Sequence, residues 1–176
     1  MIKKVCVLFI CALISPVLFA AEFMDASWAA LACKAWNNND TLTQNLLRTS
    51  SRENSYSWMK NDADRGYKLI QIYRSNCGAK SAVQLNIAEQ DGQAMCVYGG
   101  EPDGKNMNYS VDYVMHATDK NWTCMGTGDC GVMGSMMTRK LKFKGPKMEA
   151  MQVMGPFSAF LRLTGDIPGD KSECGT

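Results

Sequence analysis

The chain has 176 residues, of which 46% are hydrophobic and 20% are charged, and its formal net charge at pH 7 is +2. Without Lys3 and Lys4, which lie in a stretch that we expect to be removed, 17 basic residues balance 17 acidic ones. A neutral balance of this kind argues against nucleic acid or an anionic membrane as the main partner, and the remaining length suits one domain with a sizeable core.

The first 20 residues have the pattern of a secretory signal peptide. The basic pair Lys3 and Lys4 precedes an apolar run over 5–14, and two alanines follow at 20 and 21. The run is shorter than the roughly 20 residues that cross a bilayer, so we expect cleavage after residue 20 or 21 rather than a membrane anchor. The sequence therefore predicts a periplasmic or secreted protein.

Six cysteines follow this leader: Cys33, Cys77, Cys96, Cys124, Cys130 and Cys174. An even number of cysteines in an exported chain predicts disulfide bonds, although spacing alone does not fix the pairing. Cys124 and Cys130 are close enough to close one loop, and Cys33 could pair with either Cys77 or Cys96. The C-x-x-C spacing typical of redox and zinc sites is not found.

Two helices and a loop are expected before the sheet. The stretch FMDASWAALACKAW places apolar residues on one helical face, and Thr41 and Gln44 have the spacing of a capping box for a short second helix. The polar segment over 48–65 carries Trp58 and Met59 and indicates a loop or lid.

Four strands follow in sequence. GYKLIQIYR is rich in β-branched and aromatic residues, and VQLNIAEQDGQAMCVYGG predicts a hairpin that turns at Asp91-Gly92. SVDYVMHA, over 110–117, is the fourth strand. Consecutive strands of this kind predict an antiparallel sheet that needs apolar cover on at least one face.

The segments after the fourth strand provide this cover. Asp119 can cap a short helix that carries Trp122 and Met125, and the next segment, DCGVMGSMMTRK, supplies three methionines. RKLKFKG alternates apolar residues with lysines, as expected of an edge strand. The glycines between these segments, Gly126 among them, are interpreted as turns.

The stretch MEAMQVMGPFSAFLRL predicts a final helix over 148–163, broken at Gly155-Pro156. At about 100° per residue, its three methionines form one apolar stripe. The predicted fold is therefore an α+β domain in which a five-stranded, mainly antiparallel sheet is covered on one face by helices.

The second half of the chain resembles the C-terminal half of a sterol carrier protein type-two domain. The positions that carry the resemblance are Asp112, Asp119, Trp122, Met125, Gly128, Arg139, Lys140, Leu141, Lys142, Phe143 and Gly145. The resemblance covers 67–165, with N-terminal helices and a loop over 21–66 and a tail over 166–176. It implies a hydrophobic tunnel between sheet and helices that binds sterols, fatty acyl chains or phospholipids without chemistry.

Methionine is flexible and adapts to chains of different shape, so clusters of methionine on the covering helices point to a ligand cavity. The residues that we expect to line it are Trp122, Met125, Met133, Met136, Met137, Met151, Met154, Phe157 and Phe160. Met151→Asp should then abolish ligand binding. The alternative is a periplasmic Cu(I) site, because thioethers are soft ligands, although such sites are usually polar and rich in histidine.

An enzymatic function is not expected. His116 is the single imidazole, no G-x-S-x-G elbow is present, and Asp112 and Asp119 fit a strand position and a helix cap better than an acid/base pair. The sequence predicts no cofactor and no metal, a hydrophobic or lipid ligand as the partner, and at most a transient contact with a membrane. It leaves the oligomeric state open.

Overall fold

A computed structural model describes residues 21–47 and 58–174; the predicted leader and part of the predicted loop over 48–65 lie outside the described residues. The helices are α1 (Ala26–Asn37), α2 (Asp40–Thr43), α3 (Asp119–Thr127), α4 (Val132–Met137), α5 (Lys147–Gln152) and α6 (Met154–Asp166). The strands are β1 (Tyr67–Arg74), β2 (Val83–Gln90), β3 (Gln93–Gly100), β4 (Tyr113–Ala117) and β5 (Lys142–Lys144). No helix in the described part of the chain is both long and apolar enough to cross a bilayer.

The five strands form one sheet in the order β3-β2-β1-β4-β5. β2 and β3 form the predicted hairpin, and both Asp91 and Gly92 have the positive φ of a type I′ turn. The β1–β4 pair is parallel, whereas the other three pairs are antiparallel, so the sheet is mixed but mainly antiparallel, as predicted. The parallel pair arises because the chain returns from β3 at one edge of the sheet to the far side of β1 through the connection over 101–112.

The helices lie on one face of the sheet, as predicted. Ile70 and Ile72 of β1 point into the core between sheet and helices. On the reverse face, Gln84 and Asn86 of β2 are also buried, and both side chains donate hydrogen bonds to Asp103 of the 101–112 connection. The reverse face is therefore partly covered by this connection, and buried amide side chains lie beneath it.

Local capping differs in detail from the sequence predictions. Thr118, not Asp119, caps α3 by accepting a bond from the Asn121 backbone N–H, and Asp119 instead accepts two 2.7 Å bonds from Arg74. Asn39, not Thr41, caps α2. In each helix the cap lies one or two residues before the predicted one, where the backbone is still extended.

The prediction that Gly126 forms a turn is wrong. Gly126 lies inside α3 where this helix crosses α6, and a methyl group on Gly126 would lie 2.6 Å from the backbone nitrogen of Gly165. The absence of a side chain at both glycines permits this close approach of the two helices.

The last helix is broken, but the break falls at Val153 rather than at Gly155-Pro156. Pro156 lies in the first turn of α6, where its missing N–H leaves no helical bond unmade. Because the proline ring would clash with the carbonyl of the residue four positions earlier, α5 ends at Gln152, just before the new helix starts.

In the described part of the chain, three disulfides join the elements: Cys33–Cys96, Cys77–Cys174 and Cys124–Cys130. The predicted short loop between Cys124 and Cys130 is confirmed, and Cys96 is the partner of Cys33. The first bond fixes α1 on β3, and the second fixes the C-terminal tail beside the end of β1.

Candidate ligand-binding site

A small apolar cavity lies between the sheet and the helices. Its floor is formed by Ile70 of β1, Tyr113 and Met115 of β4, and Phe143 of β5. Ile70 and Tyr113 are direct partners in the parallel ladder, so their side chains stand next to each other on the helical face.

The roof of the cavity comes from short elements. Helix α1 contributes Trp36. The rest of the roof comes from α2, the turn at Trp58–Lys60, α5 and α6. The roof residues are Trp36, Leu42, Leu46, Trp58, Ala150, Val153, Pro156, Phe157 and Phe160. Almost every atom that faces the space is carbon, so a ligand would be held by apolar contact.

The free volume of the cavity is about 40 Å³. Sites for drug-sized ligands enclose roughly 300–1000 Å³, so a long acyl chain enters only if roof elements move outward or side chains rotate. The tunnel that the family resemblance implies therefore stays a prediction.

A buried polar network adjoins the cavity through Trp58 and Tyr113. Lys68 Nζ donates a 2.8 Å bond to Glu149 Oε2, and the Tyr113 hydroxyl donates to the same oxygen. Trp58 Nε1 donates to the Tyr113 hydroxyl at 2.9 Å, and Asn61 donates to the other Glu149 oxygen at 2.9 Å. The network therefore lies behind the apolar wall of the cavity, and Trp58 and Tyr113 are the two residues that belong to both.

Lys68 is the most unusual member of this network, because its side chain is fully buried. Burial lowers the pKa of Lys68 from its ordinary value, and the hydrogen bond to Glu149 opposes that shift. The Lys68 ammonium also lies 4.3 Å from the centre of the Trp58 ring, which adds a cation–π contact. Side chains alternate between the two faces of a strand, so Lys68 lies on the same face as Ile70 and Ile72. This spacing was the signal in the sequence for its burial.

A second site, lined by both apolar and basic side chains, is open to solvent. It is a groove of about 540 Å³ along α4, β5 and α5, and Phe143 lines both this groove and the cavity. The groove residues are Met133, Met136, Met137, Arg139, Leu141, Lys142, Phe143, Lys147 and Met151.

The residues predicted to line one cavity are thus distributed over three environments. Phe157 and Phe160 line the cavity. Trp122 and Met125 are fully buried core residues, and Met154 packs against the same core. The remaining four methionines, Met133, Met136, Met137 and Met151, line the groove.

The residues that the sequence analysis weighed for catalysis lie outside the cavity and the groove. His116 Nδ1 is 2.8 Å from the Ser75 hydroxyl, and the imidazole stacks on Tyr73 on the reverse face of the sheet. Burial, helped by Lys142, lowers the pKa of His116. Among the described residues, no three His, Cys, Asp or Glu side chains are grouped as a metal site would require, so the Cu(I) alternative depends on thioethers alone and stays a prediction.

Comparison with known proteins gives a likeness in structure but not in sequence. No protein-family model matches the chain, and no curated protein matches it. The crystal structure of sterol carrier protein 2 superposes with a TM-score of 0.51 at 12% identity, over 84% of this chain and 100% of that one. A solution structure from Thermus thermophilus, described as a conserved hypothetical protein and possibly a sterol carrier protein, gives a TM-score of 0.49 at 12% identity, over 88% of this chain and 99% of that one. The superposition on the crystal structure shows that the chain has the fold of sterol carrier protein 2, as its sequence resemblance predicted.

Proposed function

We propose that this protein binds and carries a hydrophobic ligand, such as a sterol, a fatty acyl chain or a phospholipid, without catalysis. The observation that carries the proposal is the apolar cavity between sheet and helices in a chain with the sterol carrier protein 2 fold. Sterol carrier protein 2 is named for a sterol ligand, and the cavity here has the apolar lining that such a ligand requires.

Binding requires the cavity to open. The roof includes α2, with four residues, and α5, with six, and helices of this length have little stability of their own. Outward movement of such elements would enlarge the cavity without disturbing the sheet. Burying each CH₂ group of the ligand would contribute about 0.8 kcal/mol toward the cost of opening.

The site of action is proposed to be the periplasm or the extracellular space. The leader-like composition of residues 1–20 supports export, and so do three disulfides, since such bonds persist in oxidising compartments.

The first test is native mass spectrometry of the mature protein, purified without detergent from an exporting host, with solvent extraction and metal analysis of the same sample. A lipid released in near-stoichiometric amount would support the proposal and identify the ligand. A lipid-free protein that retains copper would contradict it and favour the methionine-based alternative.

A substitution locates the ligand. Ala150→Phe places a ring in the cavity from α5 and should lower the affinity for a fluorescent fatty acid at least about tenfold, whereas Gln152→Phe on the exposed side of α5 is the matched control. The expectation from the sequence that Met151→Asp abolishes binding is revised, because Met151 lines the groove and not the cavity; this substitution should leave binding in solution unchanged.

If Ala150→Phe does not fold, Phe157→Ala provides the same test in the opposite direction, since it enlarges the cavity and should raise the affinity for a bulkier ligand such as a sterol. Unchanged affinity in either folded cavity variant would place the ligand elsewhere.

A further inference from the structure

The segment over 130–148 is basic, although basic and acidic residues are balanced in the chain without its leader. It contains five basic residues, Arg139, Lys140, Lys142, Lys144 and Lys147, and no acidic one. The acidic residue that follows, Glu149, is buried and paired with Lys68. None of the five basic side chains forms an ion pair within the described part of the chain.

The same segment carries the most exposed methionines. Met137 is 77% exposed and Met148 is 71% exposed; Met133 in the segment and Met151 just after it are also exposed. Large apolar side chains are usually buried in folded proteins. A cluster of exposed ones therefore marks an interaction site. We call the groove over α4, β5 and α5 the Met–Lys surface, and we include Met148 because it follows the groove residue Lys147 on α5.

We propose that the Met–Lys surface docks the protein on a membrane that contains anionic phospholipids, and that the ligand is exchanged there. Cations beside flexible apolar side chains match a bilayer interface, where lysine and arginine meet phosphate groups and methionine enters the acyl boundary. The exchange step rests on the proposed lipid-binding function, whereas the docking itself rests only on this surface.

Phe143 links the surface to the cavity. Its half-buried ring lines both sites and packs against Tyr113 on the floor and Phe157 in the roof, with ring centres 5.5 and 5.8 Å apart. Outward rotation of this shared side chain is the movement that we expect to connect the groove to the cavity. A docked protein would then present the entrance of its cavity to the membrane.

Co-sedimentation with vesicles tests the docking. The wild type should bind vesicles of phosphatidylcholine mixed with phosphatidylglycerol, and high salt should weaken this binding. Lys142→Gln with Lys147→Gln should weaken it roughly 30-fold, the effect expected from removing two cations near an anionic surface. Met137→Ser with Met148→Ser should weaken it at both low and high salt, because the apolar contribution is not screened.

Exposed residues away from the surface provide matched controls. Lys34→Gln with Lys80→Gln removes two exposed cations, and Leu31→Ser removes an apolar side chain that is 48% exposed. These variants should bind the mixed vesicles like the wild type. Equal loss in control and surface variants would overturn the proposal, as would a wild type that does not bind the mixed vesicles or that binds heparin instead.

A second measurement separates docking from ligand binding. In solution without vesicles, all of these variants should take up a fluorescent fatty acid as the wild type does. Vesicle binding by a protein that takes up no fatty acid would support the docking surface and overturn the carrier function. If the protein takes up fatty acid but does not bind the mixed vesicles, the docking proposal alone would be overturned.

Discussion

Lys68 is a fully buried charge close to the cavity, and its burial requires specific partners. Strand parity directs it to the same face as Ile70 and Ile72, so its four-carbon chain is buried together with its charge. A buried ammonium is tolerated only when it is paired and hydrogen-bonded, and Glu149 and the Trp58 carbonyl supply those bonds. The pair is therefore expected to hold α5 against β1 beside the cavity.

Glu149→Gln should lower the free energy of unfolding by about 3–5 kcal/mol, because it removes the carboxylate and leaves the Lys68 charge buried. Adding Lys68→Met should recover most of the loss, since an apolar side chain of similar length then fills the same space while the amide introduced at position 149 still accepts hydrogen bonds. Urea unfolding followed by tryptophan fluorescence measures both. A double variant no more stable than the single one would show that the cost does not come from the unpaired charge.

The stability of Glu149→Gln should also depend on pH. Burial already lowers the pKa of Lys68, and without the opposing bond to Glu149 that pKa should fall further. The folded state then loses its proton at a lower pH than the unfolded chain does. The stability of Glu149→Gln should consequently rise with pH until the ordinary lysine pKa of 10.5, and a deficit that does not change in this range would contradict the assignment.

At the scale of elements, the contact between α3 and α6 depends on two glycines. Gly126 and Gly165 approach so closely that a methyl group on either would meet backbone atoms of the other within 2.6 Å. Neither glycine has a positive φ, so the requirement is for space and not for an unusual backbone conformation. The contact sets the position of α6, which carries Phe157 and Phe160 over the cavity.

Gly126→Ala should therefore destabilise the protein by about 1–3 kcal/mol, although alanine is the better helix former. Gly134→Ala in α4 is the matched control, because nothing lies near a methyl group there and the substitution should be neutral or stabilising. Thermal unfolding of the two variants makes the comparison. Equal effects at both positions would mean that the helices separate at little cost.

At the scale of the whole molecule, local signals in the sequence predicted most of the architecture. Alternation and the Asp91-Gly92 turn identified the strands, and Leu141 and Phe143 face inward between exposed lysines as expected. Pairings between distant residues were not predictable, among them the parallel β1–β4 pair and the bond between Lys68 and Glu149. The methionine pattern identified apolar helices but could not separate core, cavity and groove, because this distinction depends on how the elements pack.

The three disulfides close loops of very different length, so their loss should have graded effects. Cys33–Cys96 spans 63 residues and joins α1 to the sheet, whereas Cys124–Cys130 spans 6. Loop-closure entropy in the unfolded chain predicts a loss of about 4 kcal/mol for replacing the first pair by alanine and about 2 kcal/mol for the second. Urea unfolding of the two double variants measures the difference. A larger loss from the short loop would mean that the bond between Cys124 and Cys130 acts on the folded state, by holding the end of α3 and the start of α4 in place.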